Sequence, residues 1–155
     1  MTDNVLDRFV AIVGNAHALR GADDIAPYLI EPRGIYHDRS PLVLRPGSVD
    51  EVSQILATAT ETGTAIVPQS GNTGHTGGQV PLEGESQVIV SLSRLNTIRD
   101  VDPVGNTMTV ETGCILEDIH GAVGQRNCGT RIKVDPGIGS EVPDIPFPLS
   151  VGFVG

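Results

Sequence analysis

Apolar residues recur at helical spacing from the start of the chain. Leu6, Phe9, Val10, Val13 and His17 share one face between Asn4 and Leu19, which predicts an amphipathic helix capped by Asp3 or Asn4. Gly21 to Ser40 has no period and is broken by Pro27, Pro32 and Gly34, so it is expected to be irregular. Pro41-Leu42-Val43-Leu44-Arg45-Pro46 reads as a short strand closed by proline. Ser48-Val49-Asp50-Glu51 has the form of a capping box, and Val52, Ile55, Leu56 and Ala59 continue it as a helix that Gly63 ends. Ala65-Ile66-Val67 and Val88 to Leu92 are expected strands. Ile98 to Val101 and Thr107 to Glu111 form an expected hairpin, and Ile115 to Val123 a short helix with Leu116, Ile119 and Val123 on one face. Beyond about Arg126 the period dissolves among Pro136, Pro143, Pro146 and Pro148.

A strand, a helix and a second strand joined by short connections make a βαβ unit, which requires parallel strands. The expected class is α+β: a small parallel sheet with flanking helices, then the start of a second, mainly antiparallel piece. Three segments follow from the pattern: a lead-in over 1–40, a main body over 41–126 and an irregular tail over 127–155.

The 155 residues suffice for one ordinary domain. The core must be aliphatic, because only Phe9, Phe147, Phe153, Tyr28 and Tyr36 are aromatic. Net charge is −9 and Lys133 is the single lysine, so the basic footprint of a nucleic-acid binder is missing and an anionic membrane surface is disfavoured. A small anionic ligand stays open, since several convergent amides outweigh a diffuse charge that salt screens beyond about 8 Å. No apolar run reaches the length of a membrane-spanning helix. Two cysteines and an acidic N-terminus without signal-peptide regions make the cytoplasm the expected location.

Chemistry concentrates in Val67-Pro-Gln-Ser-Gly-Asn-Thr-Gly-His-Thr-Gly-Gly78, at the exit of an expected strand. Glycines and short side chains let a phosphate approach backbone N–H groups closely. The loop is not a Walker A loop, which would need a Lys between Gln69 and Gln79. Nor does it fit a Rossmann fingerprint, because Pro81 and Gly84 oppose the helix that should follow. A loop that wraps a pyrophosphate with consecutive amides and returns to another strand fits the spacing. A glycine-rich turn without a ligand also fits these residues alone.

Four further stretches keep order with this loop: Pro46-Gly-Ser-Val-Asp-Glu-Val52, Val90-Ser-Leu-Ser-Arg-Leu-Asn96, Asp102-Pro103 and Thr109-Val-Glu-Thr-Gly113. From Leu6 to about Gln125 the chain resembles the N-terminal part of FAD-linked oxidases with a vanillyl-alcohol-oxidase-type (PCMH-type) flavin domain. Within that superfamily it is most similar to the D-2-hydroxyacid dehydrogenases, which act on 2-hydroxyglutarate, lactate or glycolate. The resemblance implies FAD as cofactor and a 2-hydroxyacid as substrate, with the redox partner unspecified. It places Pro68, Gln69, Ser70, Gly71, Asn72, Thr73, Gly74, His75, Thr76, Gly77 and Gly78 around the cofactor. Ser70 to Gly74 would donate amides, and Thr73 and Thr76 hydroxyls. Some relatives carry a flavin-linked histidine where this chain has Asn72, so the resemblance implies non-covalent FAD.

Other residues carry less. His17, His37 and His120 are isolated, and no metal-ligand spacing occurs. Cys114 follows a glycine at a helix start and is expected to pack, and Arg94 is expected to serve structure. Phe147-Pro-Leu-Ser-Val-Gly152 resembles a family segment that precedes a second flavin loop, reached here after an extra stretch from Cys128 to Pro146. In relatives the catalytic and any metal-binding residues lie beyond that point, so none is assigned. The chain is expected to be an N-terminal piece of such an enzyme. A non-catalytic flavin- or nucleotide-binding module, or an inactive fragment, is the alternative.

Overall fold

The computed structural model describes residues 2–31, 33–36, 38–74, 76–82, 87–102, 104–105, 107–125 and 150–153. They divide into two units, Met1–Leu95 and Asn96–Gly155.

In the first unit, helix α1 spans Asp3–Val13 and buries Leu6, Phe9 and Val13. It stops earlier than the apolar period predicts. Gly14 turns to φ +78°, and a short 3-10 turn, Asn15–His17, leads into strand β1, Ala18–Leu19. The period ran on because His17 and Leu19 serve a turn and a strand that happen to continue the helical spacing. The segment expected to be irregular holds helix α2, Ala22–Ile25, and a 3-10 turn, Ala26–Leu29. Strand β2 is Val43–Leu44, and helix α3 is Val49–Thr62. Ser48 Oγ accepts the Glu51 amide at 3.2 Å, while the Glu51 carboxylate accepts the Gly47 amide at 2.7 Å. The capping box therefore closes one residue before the cap. Gly63 ends α3 in the left-handed conformation, at φ +64° and ψ +28°.

Strands β3, Ala65–Gln69, and β4, Gln87–Ser91, complete a sheet of order β1-β2-β4-β3. β2, β4 and β3 are parallel, and β1 joins antiparallel at the edge. The two strands of the βαβ unit do not touch, because β4 inserts between them. All five residues of β4 are buried, as expected of a central strand covered on both faces. Alternate residues serve opposite faces. Leu44, Val88 and Val90 pack with Phe9, Ile55 and Ala59 under α1 and α3. Val43, Val67 and Ile89 pack with Ile25, Tyr28 and Leu29 on the other side.

The second unit contains strands β5, Ile98–Asp102, and β6, Thr107–Val110, paired antiparallel as expected. Helix α4 follows over Leu116–Gln125, and strand β7, Ser150–Phe153, pairs parallel with β6. The stretch 126–149, with Cys128 and Phe147 to Leu149, lies outside the described residues, as does His37. Val101, Met108, Val110 and Ile119 form the core of this unit, with Cys114 packed against them. Burial, then the fields of Glu111 and Asp118, push the Cys114 thiol above its ordinary value. It is a packing residue rather than a stabilised thiolate. In a Cys128→Ser variant, Ellman's reagent at about pH 8 is expected to modify Cys114 at least about tenfold more slowly in the folded than in the unfolded chain.

Candidate cofactor-binding site

The glycine-rich loop leaves the C-terminal end of β3, the edge of a parallel sheet where ligands gather in α/β folds. Pro68 lies on β3, an edge strand of this sheet, where a residue lacking an N–H is tolerated. Gln69 is buried and fixes the base of the loop. Its Nε2 donates to the Tyr28 carbonyl at 2.9 Å and the Gln79 carbonyl at 2.8 Å, while its backbone carbonyl accepts the Leu92 amide at 2.8 Å. Gln79 spans the loop in turn, its Nε2 donating to the Gly74 carbonyl at 2.7 Å. The Val80 amide reaches the Gly77 carbonyl at 3.3 Å.

A second segment, Tyr28 to Tyr36, closes against the loop. Asn72 Nδ2 donates to the Ile30 carbonyl at 2.7 Å. Gly77 has φ +79°, and a Cβ there would run into the Tyr36 ring, so both backbone and space require glycine. Glu31 shapes this segment from inside. Its buried carboxylate accepts the amides of Ile35 at 3.0 Å and Arg33 at 3.1 Å and pairs with Arg33 Nε at 3.4 Å. The Ile35 amide above all, with the Arg33 contacts, holds the carboxyl below its ordinary value against the cost of burial. Stability from a depressed carboxyl is complete above the ordinary glutamate range and is lost as pH falls through the depressed value. Glu31→Gln is therefore expected to flatten the fall in melting temperature between neutrality and about pH 3, read by thermal melts across that range.

Among the described residues, the N–H groups of Gly71, Asn72, Thr73 and Gly74 donate to no protein acceptor. Gly71 and Gly78 face open space, with nothing within 4 Å of a Cβ built on either. Thr73 and Thr76 are exposed, and His75 lies outside the described residues. No charged side chain occurs between Pro68 and Leu82. Arg94, in the turn after β4, donates to the Arg45 carbonyl at 2.7 Å and lies against Gly47, so it braces the β2–α3 turn. No group of His, Cys, Asp and Glu suited to a metal ion exists among the described residues, and none of their helices is long and apolar enough to cross a membrane.

The FAD binding domain family matches residues 40–142. The chain belongs to this family. The chain is 36% identical over 129 residues to a probable mitochondrial D-2-hydroxyglutarate dehydrogenase of Oryza sativa subsp. indica, covering 83% of this chain and 22% of the relative. It is 33% identical over 114 residues to a D-2-hydroxyglutarate–pyruvate transhydrogenase of Saccharomyces cerevisiae, covering 72% of this chain and 23% of the relative. It thus spans under a quarter of the length of these curated relatives. Among solved structures, p-cresol methylhydroxylase superposes with TM-score 0.71 at 20% identity, over 83% of this chain and 25% of that one. Alkyldihydroxyacetonephosphate synthase superposes with TM-score 0.72 at 16% identity, over 88% and 27%. The domain is a PCMH-type flavin fold homologous to the D-2-hydroxyacid dehydrogenase family.

The residues present fit FAD. Several N–H groups without protein acceptors suit the ionised oxygens of a pyrophosphate, and the absence of carboxylates in the loop removes local repulsion. One buried acceptor, Asn72 Oδ1, also lacks a donor. Sequence reasoning missed the Tyr28–Tyr36 wall. Its clamping groups are backbone carbonyls and a buried glutamate, none of which has a periodic signature.

Proposed function

We infer that the loop 68–78 holds the pyrophosphate of non-covalently bound FAD in an oxidoreductase acting on a D-2-hydroxyacid. The observation that carries this reading is the run of amides from Gly71 to Gly74 without protein acceptors, at a parallel strand exit in an FAD-binding domain. Gly71, Asn72, Thr73 and Gly74 would bind phosphate oxygens, Thr73 and Thr76 hydroxyls would add donors, and Gly77 and Gly78 would let the chain pass close by. Gln69 and Pro68 would position the loop, with the Gln69 amide group already committed to two carbonyls. Bound FAD supplies hydride acceptance; this chain's residues supply its position.

The relatives named for D-2-hydroxyglutarate chemistry support the substrate class. The test is anaerobic bleaching of flavin absorbance in the FAD-loaded protein when this segment is joined to the part that, in relatives, holds the catalytic residues. D-2-hydroxyglutarate, D-lactate or glycolate should bleach the flavin, and L-2-hydroxyglutarate should not. Bleaching by none of these three acids would overturn the substrate assignment.

A further inference from the structure

Strand β3 is an edge of the first sheet. The ladder fixes which of its groups face out. The Gln69 carbonyl accepts the Leu92 amide, and successive residues of a strand bond to opposite sides. Ala65, Val67 and Gln69 therefore face β4, while Ile66 and Pro68 face away. Pro68 has no N–H to offer, and the Thr64 amide is already committed to the Ala59 carbonyl at 2.9 Å. The outward donors reduce to the Ile66 N–H, with the Ile66 carbonyl beside it. Neither has a partner among the described residues.

A groove of about 450 Å³ flanks this edge, between Leu56, Ala59 and Thr60 of α3 and Thr64, Ala65 and Ile66. Leu56 is 50% exposed there. The face is also uncharged. From Val52 to Ser70 the only charged residue is Glu61, and Arg8 pairs with it. In a chain of net charge −9, two copies can approach here without mutual repulsion.

We propose that this face joins two copies of the chain about a twofold axis at Ile66. Opposed residues at a hydrogen-bonded site of an antiparallel pair exchange both N–H···O bonds. Ile66 opposite its own copy meets that need with the groups the edge leaves free. The next positions set Pro68 against Thr64, and neither has an N–H to give, so the ladder stops after the Ile66 pair. The contact closes on itself, and the proline that ends it keeps the edge from templating longer assemblies. On the α3 side the same axis brings the two grooves together, so each Leu56 is covered by the other copy. A second copy fits better than an unrelated strand because it supplies the matching uncharged flank as well as the matching bonds.

The test is hydrogen exchange at the Ile66 amide, read by NMR alongside sedimentation at about 10 µM and about 1 mM chain. A small interface with a dissociation constant of roughly 0.1 mM or tighter should slow Ile66 exchange roughly fivefold or more in the concentrated sample, as dimer forms. The amides of Val67 and Gln69, which face β4, should stay protected in both samples and so report an unchanged fold. Leu56→Glu and Leu56→Lys should each be monomeric at about 1 mM, because like charges then face each other across the axis, and mixing the two should restore the dimer. A chain that stays monomeric at about 1 mM, a dimer in which Ile66 exchanges freely, or a dimer that both variants keep would overturn the proposal. The first two results need no variant to fold. Equal protection of Ile66 at both concentrations would also overturn it, because a segment of the same chain would then cover the edge.

Discussion

Gly71→Val is expected to leave the fold intact and to weaken FAD binding by about 10–100-fold or more. The two halves of this result have separate causes. A Cβ at Gly71 meets nothing within 4 Å, and the backbone there is not left-handed, so the folded chain has room for the new side chain. Its stability should change by no more than about 0.5 kcal/mol, as at an ordinary surface position. The same open space is where phosphate oxygens must come within hydrogen-bond distance of the amides. Forcing extra carbon into a packed contact costs about 1–3 kcal/mol, and each 1.4 kcal/mol is tenfold in affinity. Unchanged melting with lost flavin quenching would show that the space belongs to the ligand. Unchanged binding would place the cofactor elsewhere.

Gln69→Glu should be the most damaging change at the base of the loop, costing about 3–5 kcal/mol at neutral pH. Gln69 is 4% exposed, and both hydrogens of its amide are committed to carbonyls. A carboxylate of the same shape would bring a buried charge against two acceptors and donate nothing. Burial and those acceptors raise the carboxyl's pKa, so the deficit should grow as pH rises above the ordinary glutamate range and shrink on acidification, when a protonated acid can donate one bond. Chemical denaturation of both proteins at about pH 4 and about pH 7.5 reads this directly. An equal deficit at both values would mean that shape rather than charge is at stake.

Much of the first unit was legible in the sequence because its signals are local. Ser48, Glu51 and Gly63 bracket α3 through side-chain and backbone chemistry that stays within a few residues. The apolar run Val88-Ile-Val90 marked a buried strand, but its place between β2 and β3 depends on long-range pairing that no local pattern encodes. The end of α1 was misread because His17 and Leu19 extend a helical spacing past Gly14, where the backbone had already turned. Leu56 and Leu116 kept the helical period yet are half exposed, so period alone did not separate core from surface. The glycine loop stood out by composition. The wall opposite it did not, because Tyr28 and Ile30 act through carbonyls that every residue possesses, and Glu31 is a glutamate like any other until its burial is seen.

The most direct measurement is an absorbance spectrum of the chain after incubation with FAD and desalting, repeated after denaturation and filtration. A shifted flavin band that stays with the folded chain, and passes the filter once the chain is denatured, is the predicted result. A folded chain that retains no flavin, or flavin that stays attached after denaturation, would contradict a non-covalent FAD site in this loop.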